Sequence, residues 1–165
     1  MRNALHMADS GSRALSYLLG ALCIGLAAAV YATSLAPTAI AQWTLEVFGV
    51  SFVVLFSALV FVSLFCWVRM GQHPEARDFW LEVGVHGANG VSTLALTFTL
   101  LGISLGIGTL AEQELTPETV QPIIRDLTKH FSLAFLTTVV GLPSAAVLRA
   151  LLSISHQRKP DGENS

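Results

Sequence analysis

The sequence predicts an all-α membrane protein built from four transmembrane helices. Two observations carry this. Of 165 residues, 53% are hydrophobic and only 12% charged, with a mean hydropathy of +0.63, whereas a soluble domain carries roughly a quarter of its residues charged. Four apolar runs, 14–36, 47–68, 91–110 and 131–154, also reach the ~20 residues that cross a bilayer core. The remaining chain is too short for a sizeable soluble domain. The net charge of −2 and the lack of any basic cluster beyond Arg158-Lys159 leave no basis for nucleic-acid binding.

The polar segment 1–13 is expected to be mobile, with Arg2 and Arg13 flanking the first apolar run. The Ala39-Ile40-Ala41 triplet has the small-x-small form of a signal-peptide cleavage site. The run before it is much longer than the ~7–15 residues of a signal core, which favours a retained first span. That span, 14–36, is rich in small residues (Gly20, Gly25, Ala27, Ala28, Ala29), the composition that lets helices approach closely in lipid. Pro37 ends it, and the link to Glu46 holds Trp43 as an interfacial anchor.

The second span, 47–68, carries bulky Phe and Val on all sides and reads as a lipid-facing helix. In the loop 69–90, Pro74–Val85 has an amphipathic pattern with Phe79, Trp80 and Val83 on one side. The glycines from Gly87 to Gly90 are expected to break any helix before the third span.

The third span, 91–110, has a countable pattern. Ser92, Ala95, Thr99, Gly102, Gly106 and Thr109 recur at spacings of three and four, which places them on one helix face. In the segment 111–130, Thr116 caps a helix with Pro117 at its first position. Val120, Ile123, Ile124 and Leu127 then make an amphipathic helix that runs into the fourth span. That span, 131–154, repeats the small-residue spacing with Ala134, Thr138, Gly141 and Ala145. Pro143 is expected to bend it, Arg149 to snorkel to the headgroups, and the polar tail 155–165 to be disordered.

With four spans and both termini on one side, that side holds Arg2, Arg13, Arg69, Arg77, Arg149, Arg158 and Lys159, against Arg125 and Lys129 on the other. The positive-inside rule makes the first side cytoplasmic, as in a bacterial inner membrane.

The small-polar stripes have two readings. Thr and Gly at helical spacing pack helix on helix. Alternatively, threonine hydroxyls line a hydrated path, since they donate and accept without charge. No Asp or Glu lies within any span, so a proton relay through this chain requires its titrating group from a partner. Enzyme motifs are lacking: no histidine–acid pair sits in a span, and no serine sits in a nucleophile motif. Five scattered histidines and the cysteines Cys23 and Cys66, both in apolar runs, show no metal-ligand spacing.

Thr99-Leu100-Leu101-Gly102-Ile103 in the third span and Ala134-Phe135-Leu136-Thr137-Thr138-Val139-Val140-Gly141-Leu142 in the fourth carry a resemblance. Together they resemble the pore hairpin of the MotA/TolQ/ExbB proton-channel family, with its Thr-x-x-Gly-Ile and Ala-x-x-x-Thr-x-x-Gly-Leu elements, over residues 88–152. The resemblance implies a homo-oligomeric ring of about five copies around single-span partner helices of the ExbD/TolR/MotB kind. The partner would supply a membrane aspartate, and protons or sodium ions would pass along Thr99 and Thr138 and drive a motor. Ser92, Ala95, Gly102, Gly106, Thr109, Ala134, Gly141 and Ala145 would form the packing or pore face. No cofactor is implied. The chain departs from the family in its short 69–90 loop, where members carry a large cytoplasmic domain, and in Leu133, where the ExbB-like branch has glutamate. The competing readings are a non-conducting scaffold that binds other membrane helices through its small-residue faces, and a lipid or small-solute transporter subunit.

Overall fold

The structure, a computed structural model, describes residues 2–111, 116–117 and 119–157, with side chains omitted for 2–8 and 109–111. Its described elements are all helical: α1 (Arg2–Thr33), α2 (Pro37–Gln72), a single 3-10 turn (Pro74–Ala76), α3 (Arg77–Ala111) and α4 (Val120–Gln157). All four helices are long and apolar enough to cross a membrane, the composition of a multi-pass membrane protein.

Among the described residues, α1 packs mainly on α2, α2 on α1, α3 and α4, and α3 on α2 and α4. The expectation of a lipid-facing second span is therefore corrected. α2 is the central helix, burying Phe52, Ser63, Leu64, Cys66 and Met70, while Val50, Val54, Leu55 and Val62 remain exposed. An aromatic run fastens its first half to α3: Phe48, Phe52 and Phe56 stack at 5.6 Å steps, and Phe98 meets Phe52 edge-on at 5.2 Å. The outermost helix is α1, whose Leu22, Ile24 and Tyr31 are all exposed. Its Gly20 and Gly25 have nothing within 4 Å of an added Cβ, so no close helix approach uses them within this chain.

Three further expectations change. The link 37–46 is helical, and the chain turns instead at Gly49, whose φ of 73° and ψ of 150° interrupt α2. Only glycine adopts that backbone without strain. Pro37 sits at the helix start, where its fixed φ suits the first turn, with Ala36 extended before it.

α3 runs unbroken through Gly84, Gly87 and Gly90. These glycines do not break the helix because each lies against a neighbour. A Cβ on Gly84 would stand 2.9 Å from Leu152, one on Gly87 2.7 Å from the Ser63 hydroxyl, and one on Gly90 3.2 Å from Leu59. The helix propensity lost at glycine is outweighed by the close packing it permits. The amphipathic segment predicted at 74–85 is thereby the 3-10 turn and the first turns of α3.

The N-terminal segment is helical rather than irregular from Arg2. Ser10 is buried and donates to Gln72 Oε1, and Asp9 pairs with Arg13 at 3.1 Å across one turn. α4 likewise continues through 155–157, while 158–165 lie outside the described residues. It begins at Val120, three residues after the predicted first position Pro117; ahead of it Thr116 and Thr119 exchange side-chain and backbone hydrogen bonds (2.8 and 3.3 Å). It also passes Pro143 as one helix. In the α2–α3 connection, the Glu75 carboxyl is held below its ordinary range by its own backbone N–H first, then by the His73 ring at 3.3 Å.

The start of α1, the end of α2, the start of α3 and the end of α4 meet at one end of the bundle. Ser10 reaches Gln72, Trp67 Nε1 donates to Ser155 Oγ at 2.7 Å, Arg77 donates to the Ser155 carbonyl, and His156 stands 3.5 Å from Asp78.

Candidate functional site

Helices α3 and α4 meet along a seam of small residues. At the end remote from the start of α1 and the finish of α4, Gly106 of α3 is buried against His130, with an added Cβ 3.3 Å from the His130 Cβ. One turn along, a Cβ on Gly102 would approach that of Ala134 to 2.8 Å. Beyond the middle of the seam, Gly141 of α4 lies so close to Ala95 that no Cβ fits between them. Ala95 and Ala145 are fully buried, and Ala134 is 6% exposed. Leu148 and Leu152 continue the three-and-four series on α4 into the buried core.

Between the Gly102 and Gly141 contacts sit three threonines. The Thr99 hydroxyl lies 2.9 Å from the Ala95 carbonyl, 3.1 Å from that of Ala134 and 2.8 Å from the Thr137 hydroxyl. It is also hydrogen-bonded to the Thr138 hydroxyl. Thr137 lies 2.7 Å from the Ala134 carbonyl and 3.2 Å from that of Ala95. Each hydroxyl donates once and accepts up to twice. One consistent arrangement has Thr99 donating to Ala95, Thr137 to Ala134 and Thr138 to Thr99. Every donor is then satisfied, and lone pairs on Thr138 are left for an outside group. Thr99 and Thr137 are buried at 6% and 4% exposure, whereas Thr138 is half-buried at the edge of the seam. The cluster is a relay of hydroxyls with no ionisable member.

The structure thus brings Thr99 and Thr138 together and places Ala95, Gly102, Gly106, Ala134, Gly141 and Ala145 along the same seam. Ser92 is half-buried as a residue, and its buried hydroxyl has no hydrogen-bond partner among the described residues; Val91 takes the buried position beside it. The Thr109 side chain lies outside the described residues. Thr137 was missed. It stands three residues from Ala134 and four from Gly141, so the helical spacing admits it as readily as Thr138, and only the rotation of α4 against α3 separates them.

Replacing Thr137 by valine keeps its shape and removes two short contacts to carbonyls. The expected cost is about 1 kcal/mol, the usual range for hydroxyls between membrane helices, read as a lower thermal midpoint in detergent. Thr97→Val is the control, because that exposed hydroxyl bonds only the carbonyl of Thr93 in its own helix.

Among the described residues no three His, Cys, Asp or Glu side chains gather as metal ligands. Arg149 donates from α4 to Asn89 Oδ1 of α3 at 3.0 Å. No family model, curated protein or solved structure matches this chain.

Proposed function

We propose that this protein is the pore-wall subunit of an ion-driven membrane motor, assembled as a homo-oligomeric ring around single-span partner helices that carry a protonatable aspartate. The observation that supports this best is the threonine cluster. Two helices without any carboxylate in their spans bring Thr99, Thr137 and Thr138 to one level, with glycines above and below that allow close approach. Hydroxyls in this arrangement can solvate an ion or a proton-carrying water but cannot themselves hold a proton's charge. A partner acid at the same depth would complete the path, and the half-buried Thr138 is the hydroxyl it would meet first. The species moved would be protons or sodium ions. The resemblance of the α3–α4 hairpin to the MotA/TolQ/ExbB family supports the same reading.

Orientation follows the distribution of charge. Arg13, Arg69 and Arg77 lie at the end where α1 starts and α4 finishes, and Arg125 and Lys129 toward the other, so the first end would face the cytoplasm of a bacterial inner membrane. The scaffold reading draws on the same seam, because the Thr99 and Thr137 hydroxyls are satisfied within one subunit and can serve packing alone.

The experiment is a mass measurement of the complex extracted from its native membrane in a mild detergent. The expected result is a discrete particle of about five copies of the 17.6 kDa chain, co-purifying with a single-span protein that has an aspartate in its membrane segment. A small-residue scaffold would instead bring down membrane proteins without such an acid.

A further inference from the structure

Arg149 is the one charged residue within the four apolar runs, and the α3–α4 contacts fix how deep its guanidinium sits. Gly84 lies against Leu152, Gly141 against Ala95, Gly102 against Ala134 and Gly106 against His130, so the two helices run antiparallel in constant register. That register sets Arg149 level with Gly87. Its Nη1 nevertheless donates to Asn89 Oδ1 at 3.0 Å, two residues further into the bundle. The side chain thus reaches inward, and the expectation that it snorkels out to the headgroups is corrected. Trp67, bonded to Ser155, and Trp80, 5.1 Å from the Arg69 guanidinium, mark the headgroup level at this end. Asn89 is nine residues inward of Trp80, about 13 Å along α3.

We infer that Arg149 and Asn89 form a binding site for a carboxylate carried by a transmembrane helix of another protein. Among the described residues, Arg149 has Asn89 as its hydrogen-bond partner and enters no ion pair, so most of its five N–H groups are open. With Asn89 Oδ1 taken, the amide presents its own N–H groups beside them. Asn89 is exposed and Arg149 half-buried, so the donors stand at the outer surface of the helix pair. A guanidinium fork holds a carboxylate through two parallel hydrogen bonds. At this depth a charge without a counter-charge is costly, which favours such a partner.

Depth decides where the carboxylate comes from. Lipid phosphates lie at headgroup level, and the guanidinium points away from it. The apolar runs of this chain hold no Asp or Glu, and the nearest acid along α3 or α4, Glu82, stands seven residues outward from Asn89. In a ring of copies around an axis normal to the membrane, every Glu82 has that same depth, so a second copy does not supply the acid. A different chain must.

The surface beyond the pair suits a helix. Leu96 lies two turns inward of Asn89 and Leu142 two turns inward of Arg149, on the same faces. Both are exposed, 48% and 37%, and give an apolar track on which a helix can lie while its acid meets Arg149. The site is eleven residues along α4 from Thr138. Its carboxylate is therefore distinct from the aspartate proposed to meet that hydroxyl, and the inference holds for a pore wall and a scaffold alike.

The test uses the full chain in phosphatidylcholine vesicles with a synthetic polyleucine transmembrane peptide. The peptide carries one aspartate about 13 Å inside one end of its apolar stretch, and a matched peptide carries asparagine there. Association is read as energy transfer between labels on peptide and protein. The aspartate peptide is expected to bind roughly tenfold more tightly than the asparagine peptide. R149Q is expected to bring that ratio near one, and R149K, which keeps the charge and guards against a loss of fold, to retain part of it. Equal binding of the two peptides by the wild type, or an unchanged preference in R149Q, would overturn the proposal. Loss of the preference on adding phosphatidylglycerol would overturn it too, as the mark of a lipid-headgroup site.

Discussion

Gly141→Leu is expected to separate α3 from α4 and leave no stably folded protein. The position has no room for a single added carbon: a Cβ there would overlap that of Ala95. The obstacle is a residue fixed to the backbone of the neighbouring helix rather than the tip of a flexible chain, so relief requires moving the helices apart. Overpacking of this kind costs about 1–3 kcal/mol for small additions and more for a branched side chain. It also pulls apart the threonine cluster one turn away. Gly141→Ala should show the upper part of that range, and Gly102→Ala, with 2.8 Å to Ala134, a smaller loss. Gly108→Leu and Gly20→Leu serve as controls, because nothing lies within 4 Å of either added Cβ. Thermal unfolding in detergent separates the two groups. Equal effects at Gly141 and Gly108 would mean that the seam does not hold the pair together.

The four-helix class and the faces of α3 and α4 were legible because the membrane imposes simple rules. Length and hydropathy give the spans, and a small residue at every third or fourth position gives the face that meets another helix. Ala95, Thr99, Gly102, Gly106, Ala134, Gly141 and Ala145 were found in this way. The glycines of 87–90 were misread because glycine has two uses. In water it breaks helices, but in a packed membrane bundle it admits a neighbour, and only knowing that Ser63 and Leu59 stand opposite decides between them. The central place of α2 was hidden for a related reason. Phenylalanine and valine all round a helix suit lipid and protein neighbours equally, so composition alone cannot show that Phe52 is covered while Val54 is not. The choice between Thr137 and Thr138 as the buried hydroxyl turned on a helix rotation of about 100° per residue, finer than any periodic pattern resolves.

Loss of the Thr138 hydroxyl is expected to have the largest effect on function. In the proposed ring this hydroxyl, half-buried and bonded to Thr99, is the group through which the satisfied interior of the subunit meets the ion and the partner acid. A hydrogen bond to a charged species is worth about 1.5–3 kcal/mol, which corresponds to roughly tenfold to a hundredfold in rate if the bond is made chiefly at the barrier. Thr99→Val acts at one remove. It withdraws the acceptor on which Thr138 is oriented, while valine keeps the shape of the side chain, so a smaller loss of flux is expected, with a stability cost of about 1 kcal/mol like that of Thr137→Val. The measurement is proton and sodium flux across native membrane vesicles that contain the complex with its partner, comparing wild type, Thr138→Ala and Thr99→Val at matched protein levels. The account predicts flux reduced at least about tenfold by Thr138→Ala and less by Thr99→Val, with both variants still assembled. Wild-type flux in both variants would contradict the assignment of the α3–α4 seam as the pore wall and leave it a packing surface.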